Sequence, residues 1–163
     1  MQNDAPCIDY YQLFKDSHTV LVICSEHGDL ISCNQTAERF FGLSANEFES
    51  RCLFDFISDD FSSAFRSMWD RCIRESSPAS MESKIITSSK KVLDVQIHVQ
   101  VNTGTRNVVV SIHDITQYKK QEDELHLFKL MVERTHDPMF LIDSMTAKMI
   151  YVNDAAAKHF GAP

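Results

Sequence analysis

Cysteine and histidine are the side chains of this 163-residue chain that could act as nucleophiles, redox centres or metal ligands. Cys7, Cys24, Cys33, Cys52 and Cys72 are odd in number and show no C-x-x-C spacing. Neither a zinc ribbon nor a disulfide framework is written into them, and reduced thiols in the cytoplasm are the plain reading. There is no G-x-S-x-G, no P-loop, no H-E-x-x-H and no pair of carboxylates tied to a histidine. No catalytic residue and no metal ligand is therefore assigned, and the chain is not expected to be an enzyme in its own right. What remains is aromatic. Over residues 60–75, Phe61, Phe65, Met68 and Cys72 fall in one sector of a helix turning about 100° per residue, with the sole tryptophan, Trp69, on its shoulder.

Other elements must position that stripe. Apolar Ile8, Tyr11 and Phe14 suggest a short amphipathic turn or helix, and TVLVIC at 19–24 a buried strand. A His27-Gly28-Asp29 turn makes a hairpin with a second strand at 30–33. Asn34 then introduces a helical turn ending at Gly42, a suitable C′ glycine. A short helix over 45–48 has Ser44 as its cap, and Ser58 or Asp59 caps the long helix. Strands follow at 81–87, 92–102 and 107–113. In the second of these, Leu93, Val95, Ile97, Val99 and Val101 alternate strictly with polar residues, one face buried and one wet. From Ile115 the pattern turns helical. Tyr118, Gln121, Leu125, Phe128 and Val132 alternate by three and four, a coiled-coil seam with one polar rung. The order β-β-α-α-α-β-β-β-α is that of an α+β domain with helices on one sheet face.

The chain repeats itself. Residues 132–163 lie over residues 13–44 without a gap, Val132 on Leu13. Ile23, Ser25, Ile31, Asn34, Ala37, Phe41 and Gly42 recur as Ile142, Ser144, Ile150, Asn153, Ala156, Phe160 and Gly161, where composition alone would give about two identities. A fixed period marks tandem modules, so one complete module and the opening of a second are expected. The net charge of −7, with no Lys/Arg run, argues against a nucleic-acid partner. No apolar stretch approaches the ~20 residues that span a bilayer, and the start lacks the regions of a signal peptide.

These pieces together resemble the PAS domain, a sensory fold of bacterial signalling proteins. The resemblance rests on N-x-x-A-x-x-x-F-G (Asn34, Ala37, Phe41, Gly42) and its second copy, and on FDFISDD before the long helix. It rests also on the three closing strands and on Asp114-Ile115-Thr116 at the end of the last. It implies a five-stranded antiparallel sheet with helices on one face, followed by a C-terminal linker helix. The domains would be an N-terminal extension (1–10), a PAS domain (11–116), a connecting coiled-coil helix (117–131) and the truncated start of a second PAS domain (132–163).

The resemblance further implies a pocket walled by Phe61, Phe65, Met68 and Trp69 opposite Val95, Ile97 and Val99. These residues either fill the core or leave room for a small ligand, and Trp69 keeps a flavin in view. A light-sensing relative would need its reactive cysteine in N-C-R-F-L-Q. Here Cys52 in Arg51-Cys52-Leu53-Phe54 stands one position early, with no following glutamine, and reads as a small buried apolar residue. Haem is not expected, because residues 60–75 hold no histidine and His98 alternates onto the wet face. Asp114, Ile115 and Thr116 would relay pocket changes to the connecting helix. Tyr118, Leu125, Phe128 and Val132 would form the seam of a homodimer. The implied role is the sensory module of a multidomain histidine kinase or cyclic-dinucleotide enzyme whose output domain follows in the same polypeptide. The alternative is a ligand-free scaffold for dimerisation or protein–protein interaction.

Overall fold

The computed structural model describes residues 9–48 and 50–160. Ile8, Cys7 and Gly161, each singled out above, lie outside them. The chain forms two compact units, Met1–Thr116 and Gln117–Pro163. In the first, helix α1 (Tyr10–Asp16) precedes strands β1 (Val20–Cys24) and β2 (Leu30–Cys33), then helices α2 (Gln35–Phe41) and α3 (Ala45–Phe48). A 3-10 turn (Leu53–Phe56) leads into α4 (Asp59–Glu75), and β3 (Ala79–Ile86), β4 (Val92–Val101) and β5 (Val108–Asp114) close the unit. The five strands make one antiparallel sheet in the order β2-β1-β5-β4-β3.

One face of this sheet is dry. Val20, Val22 and Cys24 of β1, Leu93, Val95, Ile97 and Val99 of β4, and Val108, Val110 and Ile112 of β5 are all buried there. The strict alternation of β4 is the reason, since a period of two sends every second side chain to the same face. Helix α4 packs on β3 and β4, α2 on β1, and α3 on β2. Phe65, Met68, Trp69 and Cys72 are the buried side of α4, as its spacing requires.

Local differences from expectation have simple causes. Strand β3 starts at Ala79, not Met81, because the long β4 offers Val99 and His98 as partners for Ala79 and Ser80. Ser58 is the N-cap of α4, yet its side chain makes no capping bond. At α3 the roles are reversed. Ser44 donates its backbone N–H and hydroxyl to the Glu47 carboxylate, at 2.9 and 2.7 Å, and these bonds hold that carboxyl below its usual range. Cys52 is half-buried rather than fully buried. Gly42 adopts the left-handed region at φ 71° and ends α2. At Gly28 (φ +89°) a Cβ would lie 2.5 Å from the Phe54 ring.

Asn34 holds the entry of α2 to β1. Its Oδ1 accepts from Ala37 N (2.9 Å) and Leu21 N (3.2 Å), while Nδ2 donates to the carbonyls of Thr19 (2.8 Å) and Ser17 (3.1 Å). The second unit repeats the device. Asn153 Oδ1 accepts from Ala156 N and Met139 N, and Nδ2 donates to the Val132 and Asp137 carbonyls. This Asn opens α6 (Asp154–Phe160) after the hairpin β6 (Phe140–Ile142) and β7 (Met149–Val152), which follows helix α5 (Thr116–Arg134). In this hairpin Phe140, Leu141, Ile142, Met149 and Ile150 are exposed.

Replacing Asn34 by alanine strands buried backbone groups of β1, each costing about 1–3 kcal/mol. Urea unfolding of Asn34→Ala should show a loss of about 3 kcal/mol. A loss below about 1 kcal/mol would mean that water replaces the amide and that the clasp is dispensable.

Candidate functional site

Beneath α4, sequence-distant residues meet. Phe65 and Trp69, a helical turn apart, both touch Phe54 of the 3-10 turn, with ring centroids 5.6 and 5.4 Å away and near-perpendicular planes. Phe65 and Trp69 are 6.0 Å apart. Such spacings are direct contact. The guanidinium of Arg66 lies over the Phe54 ring, 4.5 Å from its centroid. Val95, Ile97 and Val99 belong to the same buried cluster, whereas Phe61 packs against it only partly buried. Cys72 ties helix to sheet through a weak Sγ bond to the Val99 carbonyl, 3.6 Å. Of the expected pocket wall, Phe65, Met68, Trp69, Val95 and Ile97 are thus brought together in the core, and Phe61 stands at its rim.

Trp69 is fully buried rather than on a shoulder, and its polar end has a fixed task. Nε1–H donates to the Glu26 carbonyl at 2.8 Å. The Glu26 carboxylate in turn accepts from Arg106 Nε at 2.6 Å. Glu26 in the β1–β2 turn therefore links α4 to the β4–β5 turn, closing one end of the layer. Neither Glu26 nor Arg106 carried any sequence signal, being 80 residues apart.

One wall residue is polar. Ser83 of β3 faces inward beside Val95, is 2% exposed, and its hydroxyl has no hydrogen-bond partner among the described residues. An orphaned buried hydroxyl costs about 1–3 kcal/mol. Burial pushes the thiols of Cys24, Cys52 and Cys72 up from their ordinary value, which disfavours the thiolate.

The outgoing junction is also explicit. Asp114 Oδ1 accepts from Thr116 N at 2.9 Å. Thr116 Oγ1 accepts from Asp94 N (3.0 Å) and sits 3.3 Å from the Asp94 carbonyl, which takes Ile115 N at 2.9 Å. The first residue of α5 is thereby bound to β4 one position before Val95. Farther along α5, Tyr118, Leu125 and Phe128 are exposed and Val132 is half-buried. Leu125, Phe128 and Val132 line an apolar groove of about 470 Å³ with Phe140, Leu141 and Tyr151 of the hairpin. Tyr151 donates a short bond to the Glu133 carboxylate, which pushes its phenol up to about 12.

Among the described residues, no three His, Cys, Asp or Glu side chains are grouped to hold a metal ion. No described helix is long and apolar enough to cross a membrane.

A family model for the PAS domain matches residues 17–117, and a second PAS domain model matches residues 126–163. The structure is similar to a domain of the sensory box sensor histidine kinase/response regulator from Geobacter sulfurreducens. That likeness has a TM-score of 0.57 and 17% identity, covering 64% of this chain and 90% of the other. It is similar to the PAS domain of a protein from Colwellia psychrerythraea, with a TM-score of 0.60 and 12% identity over 66% and 94% of the two chains. It is similar also to the PAS domain of nitrogen regulation protein NR(II) from Vibrio parahaemolyticus, at 0.54 and 16% over 64% and 95%. At these identities the likeness is one of fold. No curated protein matches the chain.

The two bonds at Glu26 should differ in worth. Trp69→Phe leaves the Glu26 carbonyl without its donor and should lower stability by about 1–3 kcal/mol in urea unfolding. Arg106→Ala breaks a pair whose arginine side chain is 75% exposed, and should cost no more than about 1 kcal/mol. The reverse order would show that the ion pair, not the indole, holds the turn.

Proposed function

The chain belongs to the PAS domain family, and from that premise we propose that it is a sensory or regulatory module of a multidomain bacterial signalling protein. It binds a small, largely apolar molecule or a cofactor such as a flavin between α4 and the inner face of β3 and β4. The output lies in another part of the same polypeptide, a histidine kinase or a cyclic-dinucleotide enzyme. The likeness to the Geobacter and Vibrio domains, from a sensor histidine kinase/response regulator and a nitrogen regulation protein, supports this reading. The observation that carries it is the unpartnered hydroxyl of Ser83, buried in the wall that faces α4.

Binding there has a route outward. Val95 and Ile97 line the site, and Asp94, adjacent to Val95, holds Thr116 at the start of α5. A shift of β4 moves the root of that helix, and the ligand's power to move it is its difference in affinity between the two positions. Asp114, Ile115 and Thr116 are the relay. Tyr118, Leu125, Phe128 and Val132 offer an apolar seam to a second copy. The mutual contact of Phe54, Phe65 and Trp69 favours a second reading, a close-packed scaffold without ligand that sets dimer geometry.

Ser83→Ala separates the two. Mass spectrometry of the denatured, freshly purified chain identifies any molecule carried along, and flavin mononucleotide is the first probe in thermal unfolding. On the sensor reading, the variant unfolds at the same or a higher temperature without ligand. It binds the molecule about tenfold more weakly, the worth of one hydrogen bond. No carried or stabilising molecule with the parent, or a variant that binds it as tightly as the parent, would overturn that reading in favour of the scaffold.

A further inference from the structure

The face of the sheet turned away from the helices carries a pair of histidines. His98 of β4 stands opposite Ser111 of β5, and His113 opposite Gln96. The two imidazoles are therefore diagonal neighbours on adjacent antiparallel strands. Their ring centroids are 5.8 Å apart with planes at 80°, and both residues are exposed. That ring contact is the one interaction either imidazole makes among the described residues. Their nitrogens are uncommitted.

The support beneath them is rigid. β4 is paired on both sides, with His98 flanked by Ser80 and Ser111. Next to it a depression of about 330 Å³ opens on the same face, lined by Ser80, His98, Gln100 and Ser111. Imidazole ligands suit Zn2+, Cu2+ and Ni2+ rather than Mg2+ or Ca2+. With metal–nitrogen bonds of about 2.0–2.1 Å, two imidazoles bound to one ion at adjacent positions have centroids roughly 4.5–5.5 Å apart. The observed spacing of 5.8 Å lies just above that range. The chain's net charge of −7 also favours a cation.

We propose that His98 and His113 form a chelating site for a divalent transition-metal ion, with Zn2+ foremost, on the outer face of the sheet. Two protein ligands leave the remaining positions of the ion to water or to a donor from elsewhere. The site is separate from the space beneath α4 and does not depend on a ligand there.

The test is calorimetric titration of the whole chain with zinc chloride, in a non-chelating buffer at neutral pH. The parent is compared with His98→Gln, His113→Gln and the double variant, with far-ultraviolet circular dichroism to check the fold. The parent should bind one ion that each single variant binds about tenfold or more weakly, because either change removes the second arm of the chelate. The double variant, which also reports binding at the remaining histidines, should be little worse than the singles. In the unmodified chain, the ring resonances of His98 and His113 should shift together as Zn2+ is added, a readout that survives if a variant misfolds. Single variants with the parent's affinity, or ring signals that stay put while zinc binds, would overturn the site.

Discussion

The pairing of β1 with β5 holds the first unit together. It joins Val20 to Ile112 and Cys24 to Val108, the first strand to the last, and so closes a long chain segment before any local contact can reward it. What offsets that cost is burial. Val22, Cys24, Val108, Val110 and Ile112 lose nearly all contact with water on the face so formed, at about 1.5–3 kcal/mol for a large aliphatic side chain. Asn34 grips one end of β1 through Leu21 and Thr19, and the Glu26 turn continues from its other end to Trp69 and Arg106. In the second unit the equivalent strand, β6, has β7 beside it and no further strand among the described residues. Its apolar side chains are exposed.

The same arrangement places β4 between β5 and β3, where it borders the candidate pocket, the root of α5 and the histidine pair. Its inward residues face α4, and its paired partner Ser83 supplies the orphaned hydroxyl. Asp94 near its start binds the root of α5. Its outward residue His98 meets His113. A strand paired on both sides holds the residues of its two faces in fixed register with their neighbours.

Much of this was legible in the chain. The alternation of β4 sorted its residues by face, and the spacing of Phe65, Met68 and Cys72 identified the buried side of α4. Asn34 and Gly42 could be read as start and stop of α2 because each satisfies a local backbone demand. What stayed hidden was long-range or broke the pattern. Glu26 and Arg106 lie in different turns, and no local rule pairs them. Phe54 sits in a 3-10 turn, where neither helical nor strand periodicity assigns a face. Ser83 is polar at an inward position, so an apolar template passes over it. Ser44 and Ser58 have cap chemistry by type, but neither side chain accepts the expected bond, because Glu47 takes the role at one and strand β3 holds the backbone at the other.

Native-state hydrogen exchange of the whole chain, read residue by residue, tests the closing role of β1–β5 pairing most directly. The amides of Val20–Cys24 should exchange only through global unfolding, at a free energy equal to that from urea denaturation. Those of Phe140–Ile142, the same strand of the repeat without a β5 counterpart among the described residues, should exchange orders of magnitude faster. Equal protection of the two strands in a monomer, or β1 amides that open well below the global free energy, would contradict the account.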